Sequence, residues 1–200
     1  MEYFINLGVL SAIYGILGVS LNLVVGYTGL LSLAHAAFFG IGAYATAVLL
    51  TQFGTNFFLS LVLGMIISGI ASFLIGVVLS RLSGDYYVLG TVGFNFIVFS
   101  IFLNWQSLTR GPLGIPGFSR PEIFGFTFSD NLSFLMLSVV FVGIIYFVSK
   151  YITDSSFGRV LKAIREDEKA ISVFGYKTNW YKLAIFIVSA MMASVAGSLF

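Results

Sequence analysis

Residues 3–80 read YFINLGVLSAIYGILGVSLNLVVGYTGLLSLAHAAFFGIGAYATAVLLTQFGTNFFLSLVLGMIISGIASFLIGVVLS, and no Asp, Glu, Lys or Arg interrupts them. A bilayer core of roughly 30 Å is crossed by about 20 helical residues. A run of this length therefore holds three spans, not one. The whole chain of 200 residues carries only 9% charged residues and is 58% hydrophobic. Soluble domains carry about 25% charged residues. Too little polar surface exists here to cover a globule in water, and lipid is the solvent that fits. The fold class expected is an all-α, polytopic transmembrane helix bundle.

Hydropathy places helices at 3–25, 30–50, 57–80, 86–104 and 132–151, with a last apolar stretch at 183–200. A short polar turn, RLSGD, lies at 81–85, and a loop at 105–131 holds Pro112, Pro116 and Pro121. Glycine is abundant, at 22 residues, and small residues let membrane helices approach closely. Two stripes at four-residue spacing read as such contacts: Ser68, Ser72, Gly76 and Ser80, and Ser189, Ala193 and Gly197. With no cysteine, a disulfide scaffold and a thiolate metal site are excluded, and no metal site is expected. The net charge of +2, without a basic run, offers nothing to nucleic acid. The first apolar segment lacks the basic flank of a cleaved signal peptide. The chain stops at Phe200 inside an apolar stretch, which reads as a fragment truncated at the C-terminus.

Lys and Arg concentrate on the inner side of a membrane protein. Lys150, Arg159, Lys162, Arg165, Lys169, Lys177 and Lys182 fall in one region, whereas the 105–131 loop has Arg110 and Arg120 alone. The segment 153–180 is therefore expected in the cytoplasm, the 105–131 loop outside, and the N-terminus outside. A broken or re-entrant helix within 26–42 would change that parity.

The cytoplasmic segment carries the most information. Residues 154–175 read DSSFGRVLKAIREDEKAISVFG, with apolar positions at Phe157, Val160, Leu161, Ile164, Ile171 and Phe174. That spacing predicts one amphipathic helix, with N-caps offered by Asp154, Ser155 and Ser156 and a left-handed stop at Gly175. Asn179 is expected to cap the next helix. The opposite face mixes Arg159, Lys162, Arg165 and Lys169 with Glu166, Asp167 and Glu168. A lipid-binding polybasic face would lack the acids. Two readings stand level on charge alone: docking into a groove of a protein partner, or a solvated connecting helix.

These residues resemble a known family. Phe157-Gly158-Arg159, Ala163-Ile164-Arg165-Glu166-Asp167-Glu168, Gly175 and Tyr181-Lys182-Leu183-Ala184 resemble the ATPase-docking cytoplasmic loop of ABC importer permeases, specifically the branched-chain amino acid permeases of the M type. Residues 21–44, LNLVVGYTGLLSLAHAAFFGIGAY, resemble the family's first signature, with His35 as its histidine. Gly84-Asp85-Tyr86 and Thr91-Val92-Gly93-Phe94 resemble the next one. Asn104-Trp105, Leu108-Thr109, Gly111-Pro112 and Gly114-Ile115-Pro116-Gly117 resemble its external loop. Departures exist. Of the general importer pattern of Glu-Ala-Ala then glycine, only part survives in Lys169, Ala170, Ile171 and Gly175, and Phe96 and Phe99 stand where an acid and an arginine are common. Urea and short-amide permeases share much of the pattern.

The resemblance implies one transmembrane permease domain over 1–200, an ABC importer permease in a prokaryotic plasma (inner) membrane. It implies a second permease subunit as a heterodimer, two cytoplasmic ABC ATPase subunits and an extracytoplasmic substrate-binding protein. The solute implied is a branched-chain amino acid or a related small neutral or zwitterionic molecule. No cofactor is expected in this chain. No GxxxxGK[ST] pattern is present, so ATP would be bound by the partner subunits. The coupling residues implied are Gly158, Arg159, Arg165, Glu166, Asp167, Glu168 and Gly175. Gly158 would allow close backbone approach, and the charges would pair with groups on the ATPase.

Polar residues within the spans are candidates for the translocation path: Asn22, His35 and Asn95. Such groups face a bundle interior. The plainer role is packing, because buried polar groups find partners whatever their function. Two readings of other classes are a membrane-embedded enzyme using His35 and a passive channel. The first needs an acid or nucleophile in the same layer, and the sequence shows none there; no catalytic residue is expected.

Overall fold

The computed structural model describes residues 2–82, 84–115, 122, 123, 126, 127 and 131–200. Ser83 of the polar turn and Pro116, Gly117, Arg120 and Pro121 of the 105–131 loop lie outside the described residues. The helices are α1 (Glu2–Thr28), α2 (His35–Phe53), α3 (Phe57–Leu79), α4 (Asp85–Asn104), α5 (Gln106–Thr109), α6 (Asn131–Asp154), α7 (Ser156–Glu166), α8 (Glu168–Val173) and α9 (Thr178–Leu199). Among the described residues, α1, α2, α3, α4, α6 and α9 are long and apolar enough to cross a membrane.

The chain is thus an all-α polytopic membrane bundle, and its centre is α9. Of the six long helices α9 is the most buried, and α1, α2 and α3 pack around it. Lipid gives apolar helices no reason to associate, so close packing of small residues must hold them. Both small-residue stripes lie on these contacts. Ser68 Oγ donates to the Ala190 carbonyl at 3.1 Å. A Cβ placed on Gly76 would fall 2.5 Å from a Leu183 methyl. Ser189, Ala193 and Gly197 are all buried in α9.

Helix ends depart from the hydropathy reading by up to five residues. The second helix begins at His35 rather than at residue 30. Gly29 takes a left-handed φ of +71°, which glycine alone adopts without strain, and so stops α1. Beyond Gly29, three amides of the turn find hydroxyls instead of helical carbonyls. Leu30 N–H donates to Thr28 Oγ1 at 3.4 Å, Leu33 N–H to Thr91 Oγ1 at 3.2 Å and Ala34 N–H to Ser32 Oγ at 3.4 Å. Irregular backbone at a membrane is tolerated only when such partners exist. Helix α2 then continues for 19 residues, about 28 Å at 1.5 Å per residue. The break is therefore a turn between two helices that are each long enough to span.

The described residues of the 105–131 loop carry short elements. It contains α5, a 3₁₀ turn at Gly111–Leu113 and an antiparallel pair of two-residue strands, β1 (Glu122–Ile123) and β2 (Phe126–Thr127).

Candidate functional site

The charged segment 153–180 is two helices, not one. Asp167 leaves the helical region, with φ −152° and ψ 98°, and its Oδ1 accepts the amides of Lys169 at 2.9 Å and Ala170 at 3.0 Å. An aspartate serving as N-cap starts a new helix, so the chain turns at the centre of the charged run. The first N-cap falls at Ser155, whose Oγ accepts the Gly158 amide at 3.4 Å, and Gly175 closes α8 with φ +88°. Asn179 does not cap α9, which begins one residue earlier at Thr178; that hydroxyl donates to Glu168 Oε1 at 3.2 Å.

The turn at Asp167 re-aims the apolar residues. Leu161 and Ile164 are buried, Leu161 inside the main core with Ile13, Ile16, Leu23 and Ile185. Phe157 stacks on Tyr181 with ring centroids 5.3 Å apart. Phe174, expected on the same inward face, is instead 78% exposed, beside Val173 at 85%. Helix α7 is thus rooted in the bundle, while the end of α8 presents an apolar knob outward.

Most of the charges expected to reach a partner are engaged within the chain. Glu168 forms an ion pair with Lys182 at the start of α9. Asp167 is consumed as the α8 cap. Arg165 Nη1 donates to the Gly26 carbonyl of α1 at 2.5 Å. Lys162 Nζ stands 5.3 Å from the centroid of the Tyr27 ring, within the range of a cation–π contact. Gly158 allows a close backbone approach to this chain's own α6: a Cβ there would fall 2.2 Å from the Thr153 carbonyl oxygen. Arg159 is exposed and bonded to the neighbouring Ser156 hydroxyl at 2.7 Å. Glu166 is exposed.

The three polar residues of the spans are not brought together. Asn22 is exposed on α1, Asn95 is half-buried on α4, and His35 is buried. His35 Nε2 lies 2.6 Å from Ser189 Oγ, whose hydroxyl donates to the Ser20 carbonyl at 2.6 Å. A hydroxyl has one proton. It is spent on Ser20, so the imidazole must be the donor at Nε2. A serine is therefore within reach of the histidine, as an enzyme would need, but the imidazole holds a proton on the facing nitrogen and cannot take the serine's. The pair ties α1, α2 and α9 together in the core. Nothing in the sequence pointed to Ser189, 154 residues away, as the partner.

The signatures meet instead at the 29–34 turn. Thr91 of the second signature holds Leu33. Tyr87, Ala34 and Phe38 share one buried cluster with Leu79 and Phe186, and Phe38 packs on Phe94 at 5.4 Å between centroids. Arg165 of α7 reaches the same turn, its Cγ 3.2 Å from where a Cβ of Gly29 would lie. At the opposite end of the bundle a cavity of about 670 Å³ opens between α1, α2, α6 and α9, lined in part by Asn6, Tyr44, Thr46 and Ser198. It includes none of Asn22, His35 and Asn95.

Comparison with known proteins bears on this arrangement. A family model described as branched-chain amino acid transport system / permease component matches residues 3–200. The high-affinity branched-chain amino acid transport system permease protein LivM of Salmonella typhimurium is 36% identical, over 98% of this chain and 52% of that protein. Its Escherichia coli counterpart is 35% identical over the same shares. A probable branched-chain amino acid transport permease protein LivM of Methanocaldococcus jannaschii is 23% identical over 94% of this chain and 64% of that protein. The chain spans about half the length of the first two relatives. No solved structure matches it.

Proposed function

The chain belongs to the family of permease components of branched-chain amino acid transport systems, and on that premise we propose that it forms one of two permease subunits of an ATP-driven importer in a prokaryotic plasma membrane. The solute is a branched-chain amino acid or a close neutral or zwitterionic relative. A second permease subunit completes the path, two cytoplasmic ATPase subunits supply the energy, and a binding protein delivers the solute at the 105–131 side.

One observation carries the reading: a charged helix pair is rooted in the bundle by Leu161 and Ile164 and turns Arg159, Glu166, Val173 and Phe174 outward. A rigid lever of this kind converts movement of a docked partner into movement of the spans. The coupling set of Gly158, Arg159, Arg165, Glu166, Asp167, Glu168 and Gly175 then divides by task. Arg159 and Glu166 face the ATPase. Gly158, Asp167, Glu168 and Gly175 shape and seat the lever. Asn22, on an outer face of the bundle, and Asn95 contribute to the path between subunits, and His35 supports it from behind.

The test is uptake by the intact assembly in proteoliposomes, with ATP on the side of α7 and the binding protein on the other. Leucine is expected to accumulate with ATP and to stop without it. Uptake of urea or a short amide in place of leucine would move the substrate class. Equilibration of solute without nucleotide would replace the importer by a passive channel.

A further inference from the structure

We propose that Arg165 is a positioning residue that fastens α7 to the end of α1, so that α7, the last turn of α1 and the 29–34 turn move as one body. The inference rests on the importer reading above and names the place where force enters the spans.

Helix α1 ends on an orphan carbonyl. The last carbonyls of a helix lack intrahelical donors. In a continuing helix the Leu30 amide would donate to the Gly26 carbonyl. Here that amide is turned away to Thr28 Oγ1 at 3.4 Å, because Gly29 has left the helix with φ +71°. The Val25 carbonyl still receives the Gly29 amide at 3.1 Å. Gly26 is left open, and Arg165 Nη1 fills it at 2.5 Å.

Charge and shape agree with the bond. The C-terminal end of a helix carries partial negative charge and favours a cation. Helix α1 has no basic residue in its last turn. Helix α7 supplies two, one turn apart: Arg165 on Gly26 and Lys162 over Tyr27. Gly29 leaves room for the arginine stem, since a Cβ there would lie 3.2 Å from Arg165 Cγ. The contact is exposed, so its part is positional more than stabilising. The far side of the same turn is held by Thr91 of α4 through Leu33. A displacement of α7 thus reaches α1 and α4 through six residues of backbone.

The chain has no cysteine, which allows a covalent replacement. A Cβ on Gly29 would lie 3.9 Å from Arg165 Cβ, inside the usual disulfide range of about 3.5–4.5 Å. In the reconstituted assembly, Arg165→Gln is expected to keep ATP hydrolysis while uptake per ATP falls about tenfold, a typical coupling loss. Arg165→Lys, which keeps a cationic donor, should lose less. The double variant Gly29→Cys, Arg165→Cys should behave like Arg165→Gln when reduced and regain most of its uptake per ATP when oxidised. The oxidised and reduced forms are one protein, so folding cannot account for a difference between them, and single Gly29→Cys measures the strain at that turn. Parallel loss of hydrolysis and uptake in Arg165→Gln would make Arg165 an ATPase contact and overturn the proposal. So would an oxidised form no better coupled than the reduced one. If the unaltered assembly itself fails to use ATP for uptake, the importer reading falls instead.

Discussion

Gly197→Val is expected to leave no folded bundle. A Cβ at this position would lie 1.9 Å from the Phe39 carbonyl oxygen, 2.8 Å from its carbon and 2.9 Å from the Ala43 nitrogen. All three atoms are backbone of α2, so no side chain can rotate away. The contact is reciprocal: a Cβ on Gly42 would lie 2.2 Å from the Ser194 carbonyl oxygen of α9. Either substitution forces the two helices apart along their length. That separation breaks the 2.8 Å hydrogen bond from Thr46 to Ser198 and pulls His35 from Ser189. Overpacking against mobile neighbours costs about 1–3 kcal/mol. Against fixed backbone the cost should exceed about 4 kcal/mol, in the diagnostic tail of single substitutions. Monodispersity and thermal unfolding in detergent measure it. Gly15, with nothing within 4 Å of its Cβ position, is the control, and Gly15→Ala should be neutral or slightly stabilising.

The second large effect is on activity with the fold intact. Phe174→Asp is expected to abolish ATP-driven uptake and to release the ATPase subunits, with no change in melting temperature. Phe174 is 78% exposed and follows the last residue of α8, so its loss disturbs no packing. Surface substitutions of that kind move stability by less than about 0.5 kcal/mol. A buried aromatic anchor at an interface, by contrast, is worth about 2–4 kcal/mol. If the knob of Val173 and Phe174 seats in the ATPase, both uptake and co-purification fail together. Arg165→Gln should differ by keeping the ATPase bound and active. The two variants therefore separate docking from transmission.

Much of this was legible in the residues, for identifiable reasons. An uncharged run from 3 to 80 leaves only lipid as solvent, and the membrane bundle follows from it. Ser155 and Gly175 act as local signals, because caps are decided by a few neighbouring atoms. What stayed hidden depends on atoms far apart in the chain. The run Arg165–Lys169 scans as continuous helix, yet Asp167 prefers the two amides after it and turns the chain. That turn is why Phe174 points out. Arg165 reads as a free surface charge because its acceptor is a backbone carbonyl 139 residues away, open only because Gly29 stops α1. Thr178 and Glu168 likewise take over the start of α9 from Asn179 by a contact across two helices.

The central claim is that the α7–α8 lever lies on the inner side of the membrane and is gripped there by an ATPase. Val173→Cys, the sole thiol in a chain that has none, tests it with a membrane-impermeant maleimide. Labelling is predicted in inside-out vesicles stripped of ATPase, with protection when the ATPase is restored and no reaction in sealed right-side-out vesicles. Labelling from outside, or a reactivity in inside-out vesicles that the ATPase leaves unchanged, would contradict it.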